Sequence, residues 1–178
     1  MVVWTRGVDH SVFRTDLTPR LQDLPRPIFM YVGRVAVEKN LEAFLKLDLP
    51  GTKVCVGDGP ARIGLEKKYP AAVFPGYRTG DELAEYMAAS DVFVFPSLTD
   101  TFGVVMIEAM GVGTPVAAFP VQGPIDVVEP ALTGILDNDL QKASLEALKL
   151  DRAKVKEAAK KFTWDRCAEI FYNNLAVR

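Results

Sequence analysis

Short apolar runs recur along the chain at residues 28–32 (IFMYV), 53–56, 72–74, 92–95 (VFVF), 115–119 and 133–136. Each is too short for a helix and is closed by Gly, Pro or a polar turn, so each predicts a buried strand. The segments between them carry a different rhythm. Leu41, Phe44 and Leu45 fall on one helical face, as do Leu83, Tyr86 and Met87 within 81–90. Further helices are predicted after Pro60, which suits a first helical turn, from Thr101 to Gly111, and over 140–148, 151–161 and 164–175. Strands that alternate with helices specify an α/β fold, here a Rossmann-like, doubly wound, mostly parallel sheet with helices on both faces. Loops at the carboxyl ends of such strands form the functional site.

The stretch from Pro96 to Val116 organises the rest. A polar loop, Ser97-Leu98-Thr99-Asp100-Thr101, follows the strand at 92–95 and leads into a helical segment that Gly111, Gly113 and Pro115 end. Thr101 is the predicted N-cap, which leaves the amides of Phe102, Gly103 and Val104 pointing outward with the positive end of the helix dipole. Amides so placed bind a phosphate. Asp100 flanks them in the loop, and Glu108 shares a helix face with Val104, leaning back toward the same point. Carboxylates suit hydroxyls better than phosphates. The stretch therefore reads as a site for a ligand carrying both an anion and a diol, such as a nucleotide-sugar; the competing reading is a surface acid on an ordinary helix. Upstream, Lys39 stands where the helix through Leu41 is predicted to start, a position at which a cation opposes the dipole and an anion would relieve it.

Strand, Ser-x-x-acid-x-Phe-Gly, Glu-Ala-Met and Gly-x-Pro-Val, in that order, resemble the signature of retaining family 4 glycosyltransferases of the GT-B fold. There the paired acids form a Glu-x7-Glu motif; here the pair is Asp100 and Glu108, the first one methylene shorter. The resemblance implies one half of a GT-B fold, a single donor-binding domain over 1–178, with the N-terminal acceptor domain absent. Residues 1–26 would be an opening segment and linker, 27–162 the α/β core and 163–178 the terminal helix. Gly33-Arg34-x4-Lys39 matches the family's Gly-Arg-x4-Lys, which implies that Arg34 and Lys39 grip the donor diphosphate in place of a metal ion. By the same resemblance Arg34, Lys39 and Asp100 are the catalytic residues and Asp100 addresses the sugar. Glu108 binds the ribose diol, and Gly33 and the amides of Phe102, Gly103 and Val104 complete the substrate site. Tyr77 lies in the loop that backs the nucleobase, where it either stacks on the base or covers the sheet edge.

Other segments extend the resemblance. Trp4 to Phe13 resembles the Gly-Val-Asp opening of the C-terminal domain, a mainly structural segment that contains His10, the sole histidine. Gly57-Asp58-Gly59-Pro60 recurs near the nucleotide in the family, and by itself reads as a tight strand-to-helix connection. In the loop at 121–126, Gln122 and Asp126 depart from the usual Gly-Gly and Glu. Phe162-Thr163-Trp164 resembles the junction before a terminal helix that crosses back to the other domain. One apolar face there would then lack its usual cover, with Trp164, Phe171 and Tyr172 as candidates and at least one of them expected in the core.

Composition bounds this picture. A chain of 178 residues suffices for one such domain with a full core. The net charge of −2 gives no general attraction to nucleic acid or anionic lipid, so phosphate binding must come from local placement. Cys55 and Cys167, with no Cys-x-x-Cys pair, fit a reduced cytosolic compartment. Residues 1–10 hold no apolar run of useful length, so no signal peptide is expected, and the longest apolar stretch, 103–121, is interrupted by Glu108, Gly and Pro, so it is not expected to span a membrane. Asp137-Asn138-Asp139 has the spacing of a metal-holding Asp-x-Asp but directly precedes a predicted helix, and reads as its cap. The family resemblance implies metal-independent transfer of a hexosyl group from GDP-mannose or a UDP-hexose, with no metal or cofactor. The chain alone is expected to be inactive, and cytoplasmic, with peripheral contact at the inner membrane face in a full-length enzyme. The alternatives are a stand-alone nucleotide-binding subunit that pairs with a separate chain, and a sensing domain without transfer chemistry.

Overall fold

The computed structural model describes residues 5–14, 16–18 and 20–175. Trp4, in the opening segment, and residues 176–178 lie outside the described residues. Six parallel strands form one sheet: β1 (Ile28–Val32), β2 (Thr52–Val56), β3 (Val73–Gly76), β4 (Val92–Phe95), β5 (Val116–Ala118) and β6 (Gly134–Leu136). Their order is β3-β2-β1-β4-β5-β6. The chain winds outward from β1 to one side, then returns to start the other side with β4. Such a reversal leaves a crevice between the carboxyl ends of the two central strands.

Both faces of the sheet are dry because successive strand side chains alternate. Met30, Val32, Val54, Phe93 and Phe95 face one layer, packed with α3 (Gly80–Ala89), α4 (Val104–Gly111) and α7 (Arg152–Ala159) through Met87, Met106, Ile107, Met110 and Val155. Phe29, Tyr31, Cys55, Val92 and Val94 face the other layer. They meet α1 (Leu41–Leu45), α2 (Arg62–Lys68) and α6 (Leu140–Ala147) through Leu41, Phe44, Leu65, Leu140 and Ala143. Burying an aromatic or aliphatic side chain of this size contributes about 1.5–3 kcal/mol. Deep in the second layer, burial pushes the Cys55 thiol up to about 12, so it behaves as a small apolar group.

The structure corrects the sequence reading in several places. Thr101 does not cap α4: it is exposed, and the helix starts from Gly103, whose φ of +76° turns the chain sharply into Val104. Pro60 sits in the turn ahead of α2, which begins at Arg62. Within the expected loop at 121–126 the chain forms a short helix, α5 (Pro124–Val127), with Pro at its first position, where the missing N–H costs nothing. The expected cap before α6 is present, since the Asp139 carboxylate accepts the Lys142 amide at 3.0 Å. Asp137 is occupied separately by the Lys142 ammonium at 2.6 Å.

The chain closes with α8 (Trp164–Asn173), capped by Thr163 accepting the Arg166 amide at 3.1 Å. Cys167 faces inward, and the opening segment joins here through the Val8 amide donating to the Phe162 carbonyl at 3.0 Å. Trp164, Phe171 and Tyr172 are all exposed, so none of the three enters the core as expected of at least one.

Candidate functional site

At the end of β1 the backbone passes through Gly33, whose φ is +150° and whose amide donates to the Val56 carbonyl at 3.0 Å. A Cβ there would lie 2.6 Å from the Tyr31 hydroxyl, which itself donates to the Arg34 carbonyl at 3.0 Å. Only glycine fits. Beyond it, Arg34 extends into solvent and pairs with Glu38 at 3.5 Å. A 3-10 turn (Val37–Lys39) follows, with Lys39 as its last residue. The expectation of a cation at a helix N-terminus is therefore corrected: α1 starts two residues later, and Lys39 ends the preceding turn.

The anion that meets Lys39 comes from the far side of the crevice. Its ammonium donates to Asp100 Oδ1 at 2.5 Å, with both side chains about three-quarters covered. Burial raises the Asp100 carboxyl, but the hydrogen bond from Lys39, the Ser97 hydroxyl and the Lys39 charge outweigh it and hold the group below the usual carboxylate range. Ser97 acts there by proximity, since its buried Oγ completes no well-directed hydrogen bond.

Next to this pair, α4 presents its free end. The Met106 amide is taken by the Gly103 carbonyl at 2.9 Å, which leaves Val104 and Val105 as the first-turn amides without a protein acceptor among the described residues. The expected trio is thus shifted: Gly103 and Val104 stay at the site and Val105 joins them. Phe102 is half-buried against the core layer.

Two joined cavities result. One of about 540 Å³ is lined by Gly33, Arg34, Lys39, Asp100, Gly103 and Val104. Another of about 400 Å³ is lined by Asp58, Tyr77, Arg78 and Thr79, and shares Val32, Gly33, Arg34 and Val105 with the first. Tyr77 stands exposed at its rim. Glu108 and Phe102 line neither cavity. The Glu108 carboxyl is half-buried on α4, has no side-chain partner among the described residues, and is pushed up by that burial. His10 also lines neither, its Nε2 buried without a partner. Among the described residues no three His, Cys, Asp or Glu side chains gather as a metal site would require.

Sequence reasoning gave no role to Tyr31, which lines the first cavity, or to Asn40, whose side chain joins the loops after β1 and β4. Asn40 is left-handed at φ +54° and its Nδ2 donates to the Pro96 carbonyl at 3.1 Å. An Asn between a polar turn and an apolar helical face was the available signal, because Asn tolerates that backbone. The whole arrangement offers fixed cations and free amides to an anion in one cavity, and an open aromatic-rimmed pocket beside it.

Comparison with known proteins assigns the chain to a family. Residues 26–150 match the family described as glycosyl transferases group 1. Over 140 residues the chain is 41% identical to the GDP-mannose-dependent alpha-mannosyltransferase of Mycobacterium tuberculosis, covering 75% of this chain and 37% of that protein. It is 37% identical over 151 residues to the sulfoquinovosyl transferase SQD2 of Arabidopsis thaliana, covering 76% of this chain and 30% of that one. The chain therefore spans about a third of the length of these relatives. Among solved structures, sucrose-phosphate synthase from Thermosynechococcus elongatus superposes with a TM-score of 0.78 at 30% identity, over 94% of this chain and 50% of that one. The Anabaena protein HepE, solved with UDP, superposes at 0.74 with 19% identity, over 97% and 56%.

Proposed function

The chain belongs to the group 1 glycosyltransferases, and from that premise we propose that it is the donor-binding half of a retaining, metal-independent enzyme of the GT-B type. The observation that carries the reading is the meeting of Arg34, Lys39, Asp100 and the Val104 amide in one cavity at the crevice between β1 and β4. Arg34, Lys39 and the amides of Gly103, Val104 and Val105 take the diphosphate. The base enters the neighbouring pocket beside Tyr77; a ribose-diol role for Glu108 rests on its place in the family's acid pair, since Glu108 lines neither cavity. Asp100 addresses the sugar. Negative charge on the departing diphosphate grows as the glycosidic bond breaks, so preorganised cations and amides lower the barrier more than they tighten the ground state. Relatives named as GDP-mannose-dependent support GDP-mannose as the donor, with a UDP-hexose second.

Acceptor recognition and closure over the donor require more chain than these residues, in keeping with the greater length of the relatives. The exposed row on α8 is where that second half would pack, and the isolated chain binds donor without turning over. A separate subunit that supplies the same half is the second reading, favoured by the same uncovered face. Among the described residues no helix is long and apolar enough to cross a membrane; we place the protein in the cytoplasm, with any membrane contact peripheral.

Calorimetric titration with GDP and with UDP, in chelator and again with magnesium, tests the reading. GDP is expected to bind in chelator, with magnesium adding little. Absence of binding by both nucleotides, or binding only with the metal, overturns it.

A further inference from the structure

Asn40, between Lys39 and the first turn of α1, has no role in the donor-binding reading. Yet three of its polar groups are hydrogen-bonded, two within its own turn and one across the crevice. Its amide donates to the Val37 carbonyl at 3.0 Å, its carbonyl accepts from the Ala43 amide at 3.0 Å, and its Nδ2 donates to the Pro96 carbonyl at 3.1 Å. The third bond is the unusual one. It crosses from the loop after β1 to the loop after β4, between residues 56 apart in the chain. Asn40 directly follows Lys39, and Pro96 opens the loop that carries Asp100, so the bond fixes the two loops that hold the ion pair. Without it, a flexible lysine would be left to find its partner at additional entropic cost.

We propose that Asn40 is a positioning residue, tying the loop after β1 to the loop after β4 through the Pro96 carbonyl and so holding the Lys39 ammonium beside Asp100 in the anion cavity. The left-handed backbone and the side-chain bond are separable requirements. Glycine meets the first and lacks the second, so Asn40→Gly removes the tie without straining the turn. Aspartate keeps the shape and tolerates the backbone but cannot donate to a carbonyl.

The first readout is the titration of the Asp100 carboxyl by carbon-13 NMR in the ligand-free protein. Lys39 and Ser97 face that group, Tyr31 adjoins it, and Arg34 and Glu38 line the same cavity. Asn40→Gly is expected to move the Asp100 titration upward, toward that of Lys39→Ala, and to move it no further in a Lys39→Ala background. An unchanged titration, or an equal shift in both backgrounds, overturns the proposal. If the glycine variant does not fold, Asn40→Asp is read the same way, its added charge being subtracted by the Lys39→Ala background.

The second readout rests on the donor-binding reading. Asn40→Gly is expected to weaken GDP roughly tenfold, a loss of about 1.4 kcal/mol, and to leave guanosine unchanged. Equal losses for both ligands, or none, count against positioning. A wild-type chain that binds no nucleotide overturns the functional reading alone, because the titration needs no ligand.

Discussion

Glu108 and Asp100 are carboxylates of opposite habit, and the difference yields predictions of opposite sign. Burial alone acts on Glu108 and raises it, so its ionisation opposes folding. That penalty is present above its folded value and fades as pH falls toward the ordinary glutamate value of 4.5. Glu108→Gln is therefore expected to raise Tm at neutral pH by about 2–4 °C, for about 1 kcal/mol, with the gain shrinking on acidification. A gain that is flat with pH would remove the charge from the explanation. The same variant should discriminate less between ribose and 2′-deoxyribose nucleoside diphosphates if Glu108 holds the diol. Asp100 is lowered, so its stabilisation is complete above the ordinary aspartate value of 3.8 and is lost as pH falls through its folded value. Lys39→Ala and Arg34→Ala should each weaken nucleoside diphosphate binding by about 1.5–3 kcal/mol and spare the nucleoside, measured by calorimetry. They should differ in stability, because Lys39→Ala strands a mostly covered carboxylate whereas Arg34 pairs only with exposed Glu38.

The helix α4 shows how an element is aimed by the residue before it. Gly103 adopts φ +76°, and a Cβ there would come within 2.7 Å of Met106 Cε and 3.1 Å of Phe95 Cζ. Gly103→Ala is expected to cost about 1–3 kcal/mol in a denaturant melt, and to weaken GDP binding by turning the Val104 and Val105 amides out of the cavity. A variant of wild-type stability and affinity would mean that the left-handed start does not set the amides. This element also marks where sequence reading stops. The β1 and β4 runs, 28–32 and 92–95, were legible to the residue because both faces of each strand are buried and the apolar run is continuous. The start of α4 was not. Thr101 has the chemistry of a cap, but the sharp turn at Gly103, backed by Phe95 and Met106, places the helix start beyond its reach. Likewise α5 has only four residues, too few to express a helical period.

Across the whole molecule, no residue of α8 lines either cavity of the crevice, so the two should respond independently. Replacing Tyr172 and Leu175, both exposed, by aspartate is expected to lower binding of a hydrophobic dye while leaving GDP affinity unchanged. Loss of GDP affinity in that variant would show that the terminal helix supports the crevice. The sequence by itself determined the alternation of strands and helices, the strand cores, the Asp139 cap, and the presence of Arg34, Lys39, Asp100 and Glu108 in loops or helices that follow strands. Periodicity, capping and turn chemistry are set by neighbours within a few residues, so they can be read along the chain. Only the tertiary structure decided that β1 lies beside β4, that Lys39 is paired with an aspartate 61 residues away, that Asn40 ties those two loops, and which amides remain open. Those outcomes depend on packing and on hydrogen bonds between distant segments, whose partners no local pattern specifies.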